Sequence, residues 1–231
     1  MALNLEEVDV NGAVSEAADA VSGDTRLSFL RKGALAGGAA LSGGAILGAL
    51  IPGTAMAASS ADRERPPAKF GAGDIGVLNY ALTLEFLEAT FYAEALKNNV
   101  AKGDAMLTAF LKETAADEAK HVAFLVKALG SKAVKKPTFD FGKTVTEKAM
   151  FTATSYVLEN TGVHAYHGQL TNIKTPANLL YAAEIATVEG RHAGAIGVLT
   201  GKAIAPSSGF DSPLGAGQVL KAVTATGFIK S

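Results

Sequence analysis

Two copies of Glu-x-x-His, each set where a helix would bury it, constrain this sequence more than any other feature. One is Glu189-Gly-Arg-His192 and the other Glu118-Ala-Lys-His121. Residues three apart on an α-helix lie ~60° apart around the axis, so each Glu and His project from one face. That face is otherwise apolar. Alternating steps of three and four give Ala182, Ile185, Glu189, His192, Ile196 and Leu199 in one segment, and Leu107, Leu111, Thr114, Glu118, His121 and Leu125 in the other. Both are seams that point into a core. A solvent-facing pair is the alternative, and the apolar seams argue against it. A buried carboxylate without a positive partner is very costly, so something cationic must sit among these groups.

Two further glutamates share the pattern. Leu78, Leu82, Glu85, Ala89, Tyr92 and Leu96 form one stripe, with Glu88 on its flank, and Ser155, Glu159, Val163, Tyr166 and Leu170 form another. The halves of the chain then read alike: a Glu, a Tyr seven residues on, and a Glu-x-x-His. This predicts two helical hairpins related by an approximate two-fold axis. One Glu from each of two helices and Glu-x-x-His from each of two others is the ligand set of a two-metal carboxylate site. Glu85 shares its spacing to Tyr92 with Glu159, but Glu88 one turn on is also a candidate ligand. Tyr92 and Tyr166 are expected to orient ligands or carry an electron, with packing and a hydrogen bond as the plainer role. His164 and His167 lie farther round the third helix; a structural role is expected for both, with His164 kept as a further candidate ligand.

Composition narrows the chemistry. There is no cysteine, so disulfides, thiolate metal sites, iron–sulfur clusters and cysteine nucleophiles are excluded. A metal must be held by oxygen and nitrogen, which suits iron or manganese without excluding zinc. The net charge is -1, with 21 basic and 22 acidic residues and no dense basic run, so nucleic-acid binding has no electrostatic footprint.

Residues 1–57 read as a signal region. An acidic lead-in precedes Arg26-Leu-Ser-Phe29-Leu30-Arg31-Lys32 and a Gly/Ala-rich uncharged run that ends at Ala55-Met56-Ala57, a small-x-small cleavage signature. The basic portion is similar to a twin-arginine signal, although Leu27 stands where the second arginine is expected. The alternative is an uncleaved anchor, since the run is long enough to span a bilayer; its many glycines argue against it. Residues 58–73, with Pro66 and Pro67, read as a linker. Residues 74–200 should hold four helices. Asp74 is expected to cap the first and Thr175 the fourth, with Pro176 in its first turn. The third is expected from about Lys143. The connection from Gly130 to Gly142 extends to ~40 Å at ~3.3 Å per residue, enough to run the length of such a bundle. Residues 201–231 read as a tail that could add a short amphipathic helix.

The residues that carry these patterns resemble a known family. Leu78-Asn-Tyr-Ala-Leu-Thr-Leu-Glu85-Phe-Leu-Glu88-Ala-Thr-Phe-Tyr92, Glu118-Ala-Lys-His121, Glu159-Asn-Thr-Gly-Val-His-Ala-Tyr166 and Val188-Glu189-Gly-Arg-His192 resemble the ferritin-like superfamily. With Ser212-Pro-Leu, Gln218-Val-Leu and Phe228-Ile, they look most like its exported branch, which includes desiccation-related proteins. The resemblance implies an all-α fold: an up-down four-helix bundle with one long crossover between helices 2 and 3, plus a C-terminal extension. It implies two iron or two manganese ions at Glu85, Glu118, His121, Glu159, Glu189 and His192, bridged by Glu118 and Glu189. The expected function is that of an exported protein, periplasmic or secreted, acting on dioxygen or hydrogen peroxide in stress protection. Ferroxidase, peroxidase and manganese-catalase-like chemistry all stay open, with Glu118, Glu189, Tyr92 and Tyr166 as the catalytic candidates. A non-catalytic protective or structural metal-binding bundle is the second reading, and an iron-storing cage a weaker third. No membrane association is expected after signal cleavage, and a homodimer is an open possibility.

Overall fold

The computed structural model describes residues 63–230. The 1–57 signal region lies outside them, and so does the first part of the 58–73 linker. Five α-helices follow in order: α1 (Gly73–Lys97), α2 (Ala105–Leu129), α3 (Lys148–Gln169), α4 (Pro176–Leu199) and α5 (Ala216–Ala225). The first four form an all-α bundle. No helix among the described residues is long and apolar enough to cross a membrane.

Hydrogen bonds at the two ends of α1 fix the topology. Near its start, Asn79 donates to the carbonyl of Lys132 and accepts from the N–H of Val134, each at 2.9 Å. Just past its end, Asn98 donates to the carbonyl of Val145 at 3.2 Å. The connection between α2 and α3 therefore runs the full length of α1, as the crossover reading requires. It delivers α3 to the end of the bundle where α2 begins: Lys148 donates to the carbonyl of Lys102 at 3.3 Å. α1 is antiparallel to both α2 and α3.

The crossover also explains why α1 is buried on nearly every side. Each residue from Gly76 to Glu88 is buried, which one apolar stripe does not account for. The crossover and the turn at Ala68–Phe70 cover its outer face, and the crossover in turn meets the C-terminal segment through an isolated bridge between Phe139 and Ile229. Phe91 stacks on Phe151 with ring centroids 5.3 Å apart and meets Phe141 edge-on at 5.4 Å, and Phe141 meets Phe228 in turn. α2 and α4 keep one exposed face. Two apolar clusters result, one around Phe91, Leu111 and Ile196 and the other around Leu82, Leu125 and Ile185. The Glu and His positions lie between them along every helix.

Three local readings need correction. α3 begins at Lys148 rather than about Lys143, after a 3₁₀ turn at Gly142–Val145; the run Thr144-Val145-Thr146 is β-branched and a poor continuation for a helix. Asp74 does not cap α1, whose N-cap residue is Ala72. Its carboxylate instead accepts from the N–H groups of Lys174 and Thr175 at 2.8 and 2.9 Å and from the Asn178 side chain at 3.1 Å, and so ties down the start of α4. Thr175 stands at the N-cap position and Pro176 in the first turn, but the Thr175 side chain makes no capping bond. These bonds hold Asp74 down to a pKa of about 2, overcoming the opposing effect of its burial. Residues 63–72, the described part of the segment read as a linker, pack against the helices. The Glu64 carbonyl accepts from Gln169 at 2.8 Å and from the N–H of Ala216 at 3.1 Å, and Phe70 is buried.

Candidate metal centre

Midway along the bundle, four helices bring six side chains to one point. Glu85 comes from α1, Glu118 and His121 from α2, Glu159 from α3, and Glu189 and His192 from α4. All four carboxylates are fully buried, at 0% exposure. The six divide into two groups, Glu85, Glu118, His121 and Glu189, and Glu118, Glu159, Glu189 and His192; within each, ligand-type atoms lie within 4.8 Å of one another. Glu118 and Glu189 belong to both groups, which is the arrangement expected of carboxylates that bridge two ions.

The tyrosines predicted from spacing cross over between halves. Tyr92 on α1 donates to Glu159 on α3 through a short hydrogen bond and lies 2.6 Å from the Ser155 hydroxyl. Tyr166 on α3 donates to Glu85 on α1 at 2.5 Å. Each phenol thus fixes one oxygen of the lone glutamate on the opposite helix and leaves the other oxygen directed elsewhere. The histidines turn Nδ1 inward. His121 Nδ1 lies 3.2, 3.3 and 3.4 Å from Glu85, Glu118 and Glu189, and His192 Nδ1 lies 3.1 and 3.3 Å from Glu118 and Glu159.

Proximity does not satisfy these groups. Glu118 Oε1, Glu159 Oε2, both oxygens of Glu189 and His192 Nδ1 are buried without a hydrogen-bond partner, since the short distances at His192 lack hydrogen-bond alignment. Buried polar atoms are normally paired, and leaving them unpaired costs about 1–3 kcal/mol each. A convergent set of oxygen and imidazole donors with open lone pairs fits a cation.

Electrostatics tells the same story. Burial, then repulsion from neighbouring carboxylates, raises Glu88 and Glu189 well above the carboxylate range. Glu118 is pushed up to about 7 by burial and by Glu85, against the pull of His121 and His192. Burial opposes charge on His121 and His192, but the adjacent carboxylates of Glu118 and its neighbours outweigh it; His121 rises strongly and His192 to about 11.

Several residues around the centre were not singled out by pattern. Asp117, which lies off the seam, accepts from His192 Nε2 at 3.3 Å and from Lys120 at 2.7 Å. Its bonds to Lys120 and His192 outweigh the effect of burial and keep it ionised below the ordinary range. Thr114 is fully buried with an unpartnered hydroxyl. Gly162 leaves room that the site uses: a Cβ there would stand 2.5 Å from Glu189 Oε2 and 3.5 Å from Glu88 Oε1. Glu88 therefore sits beside the centre but outside both four-residue groups. His164, the further candidate ligand, belongs to neither. It is buried with Nδ1 2.5 Å from the carbonyl of Ser212, where it anchors the C-terminal segment.

Comparison with curated proteins finds none that matches. The family of ferritin-like domains matches residues 73–202, which span α1 to α4 and every residue of the centre. With the bundle topology and the convergent carboxylates already established, this match shows that the chain belongs to the ferritin-like domain family.

Proposed function

We propose that this chain is an exported di-metal carboxylate protein that acts on hydrogen peroxide or dioxygen in stress protection. The observation that carries the reading is the pair of buried ligand groups sharing Glu118 and Glu189, with five of their donor atoms unpartnered. Glu85, Glu118, His121 and Glu189 would hold one ion and Glu118, Glu159, Glu189 and His192 the other, as iron or manganese. When bound, such a pair of ions supplies the two electrons and the charge stabilisation that cleavage of an O–O bond requires.

The chain's own residues then have distinct tasks. Tyr92 and Tyr166 pin Glu159 and Glu85 so that each carboxylate presents one defined oxygen inward. Asp117 holds Nε2 of His192, which sets the ring with Nδ1 toward the site. Burial and the charge of Glu189 push Glu88 well above the carboxylate range, which suits it to hold a proton beside the ligand set and donate it to a departing oxygen. The apolar clusters above and below exclude bulk water. Export to the periplasm or beyond rests on the signal-like 1–57 region, and the absence of cysteine favours peroxide chemistry over a thiol-coupled reductase.

The test is turnover by protein reconstituted anaerobically with iron or with manganese. Consumption of peroxide that requires the metal and disappears in Glu118→Gln supports the reading. Full metal loading without reaction toward peroxide or dioxygen would leave a structural metal site instead.

A further inference from the structure

The crossover covers the outer side of α1 and α5 packs on α3, but α2 and α4 share a face with no such cover. That face is apolar at both ends. Met106 and Val198 stand 68% and 57% exposed at one end, and Tyr181, 42% exposed, packs on Phe124 at the other. A groove of about 760 Å³ runs from the first end to His192.

Contacts between the helices set the levels of the charges on this face. Phe124 meets Tyr181 with ring centroids 4.5 Å apart, Asp117 accepts from His192, and Met106 and Val198 line the same end of the groove. Because α2 and α4 are antiparallel, Lys120 then stands level with Glu184, and Glu113 with Arg191. All four are exposed. Passing from the Met106 end to the Phe124 end, α2 carries an acid and then a base, and α4 a base and then an acid. Such an order is complementary to itself. Turned end for end about an axis that crosses both helices at the level of Asp117 and Val188, the face lays Glu113 on Lys120 of a second copy and Arg191 on Glu184 of that copy. The same turn sets Met106 and Val198 on Phe124 and Tyr181 of the second copy, a thioether against aromatic rings. Ala109, Ala116 and Ala195, all exposed, let the helices approach closely between these ends. Asp117, beside the axis, is engaged by Lys120 and His192 of its own chain.

The area is sufficient. The 24 residues of α4 extend ~36 Å at 1.5 Å per residue, and two helices ~10 Å apart present a face ~20 Å wide. The product is roughly 700 Å² per copy, close to the ~800 Å² that each partner gives to a stable interface. We propose that the α2–α4 face joins two copies of this chain in a two-fold symmetric dimer, in which each copy roofs the Asp117–His192 side of the other's centre. A two-fold interface uses one patch on both partners, so it must match itself, as this charge order does. The proposal is independent of what the centre turns over.

Sedimentation velocity of the full chain across the micromolar range tests it. A reversible dimer with a Kd in that range or below is expected. Arg191→Glu sets like charges against Glu184 of the second copy at two symmetric places and should raise Kd by about tenfold or more. Combining it with Glu184→Arg should restore the dimer. With the axis along the helices instead, Arg191 would meet Glu113 of the second copy, and the double variant would stay impaired. The chain has no cysteine, so Ala116→Cys reports alone. Beside the axis it meets its own counterpart within the ~7 Å between Cα atoms that a disulfide spans, and oxidation should link the dimer. Ala153→Cys, exposed on α3, should stay unlinked. A monomer across the range, whether the face is bare or taken by another occupant, overturns the proposal. So does a dimer indifferent to Arg191→Glu, a double variant that does not recover, or equal cross-linking at both cysteines.

Discussion

The two halves of the bundle, α1–α2 and α3–α4, place the same ligands in the same order and differ in what surrounds them. Glu85, Tyr92, Glu118 and His121 correspond to Glu159, Tyr166, Glu189 and His192, and even the tyrosine bonds are exchanged symmetrically. The match breaks at four places. Glu88 faces a site where its counterpart is Gly162, Asp117 corresponds to Val188, Thr114 to Ile185, and Asp104, which caps α2 through its own side chain, to Thr175, which does not cap α4. The repeated residues are the ones that form the two buried donor groups. On the proposed reading, the differences fall on the groups that would move a proton and orient one histidine, where a reaction with a direction needs inequality.

Removing each difference measures what it does. The largest effect is expected from Glu88→Gln: with the proton source gone and both metals retained, turnover should fall by about a hundredfold or more. Loss of metal in that variant would make Glu88 a ligand instead. Gly162→Ala adds a Cβ where only 2.5 Å separates it from Glu189 Oε2. Metal affinity should fall by about ten- to a hundredfold, the usual cost of disturbing a group that orients a ligand, as read by competition with a chromogenic chelator. Asp117→Asn keeps a hydrogen bond but loses the charge behind His192, so about a tenfold loss of affinity is expected for one ion of the two. An equal loss at both would deny that Asp117 acts through His192.

The smallest effect concerns the ends of the halves. Asp74→Ala unties the start of α4 and should cost about 1 kcal/mol in urea denaturation. The pH dependence has a defined sign. The folded pKa of about 2 lies below the ordinary aspartate value of 3.8, so the contribution is present above about pH 4 and is lost as the pH falls toward 2. The wild-type advantage over Asp74→Ala should therefore shrink across that window, and an advantage that persists at pH 2 would show that the carboxylate charge is not what matters.

How much of this was legible in the sequence follows from where each signal lies. Seam periodicity placed Glu118, His121, Glu189 and His192 on buried faces, because a helix converts spacing directly into direction. The Glu-to-Tyr spacing found Glu85 and Glu159, since the same geometry was needed twice. The reach of the 130–142 segment indicated the crossover. What failed was information held by partners distant in sequence. Asp74 binds residues a hundred positions away, so its local reading as a cap for α1 was wrong. Asp117 lies off the seam and acquires a role only when His192 of another helix arrives beside it. Gly162 carries no chemistry of its own; its importance is the volume it leaves for Glu189 and Glu88. The docking of residues 63–72 was hidden by Pro66 and Pro67, which mark a non-helical segment without saying whether it is bound.

The most direct test is metal content per chain, measured by mass spectrometry on protein purified without chelators and again after anaerobic reconstitution with iron or manganese. Two ions per chain are expected for the wild type, and at most one for Glu189→Gln, which removes the charge of a carboxylate shared by both groups, while the metal-free variant stays folded. Negligible binding by the wild type, or two ions retained in a folded Glu189→Gln, would contradict the di-metal centre.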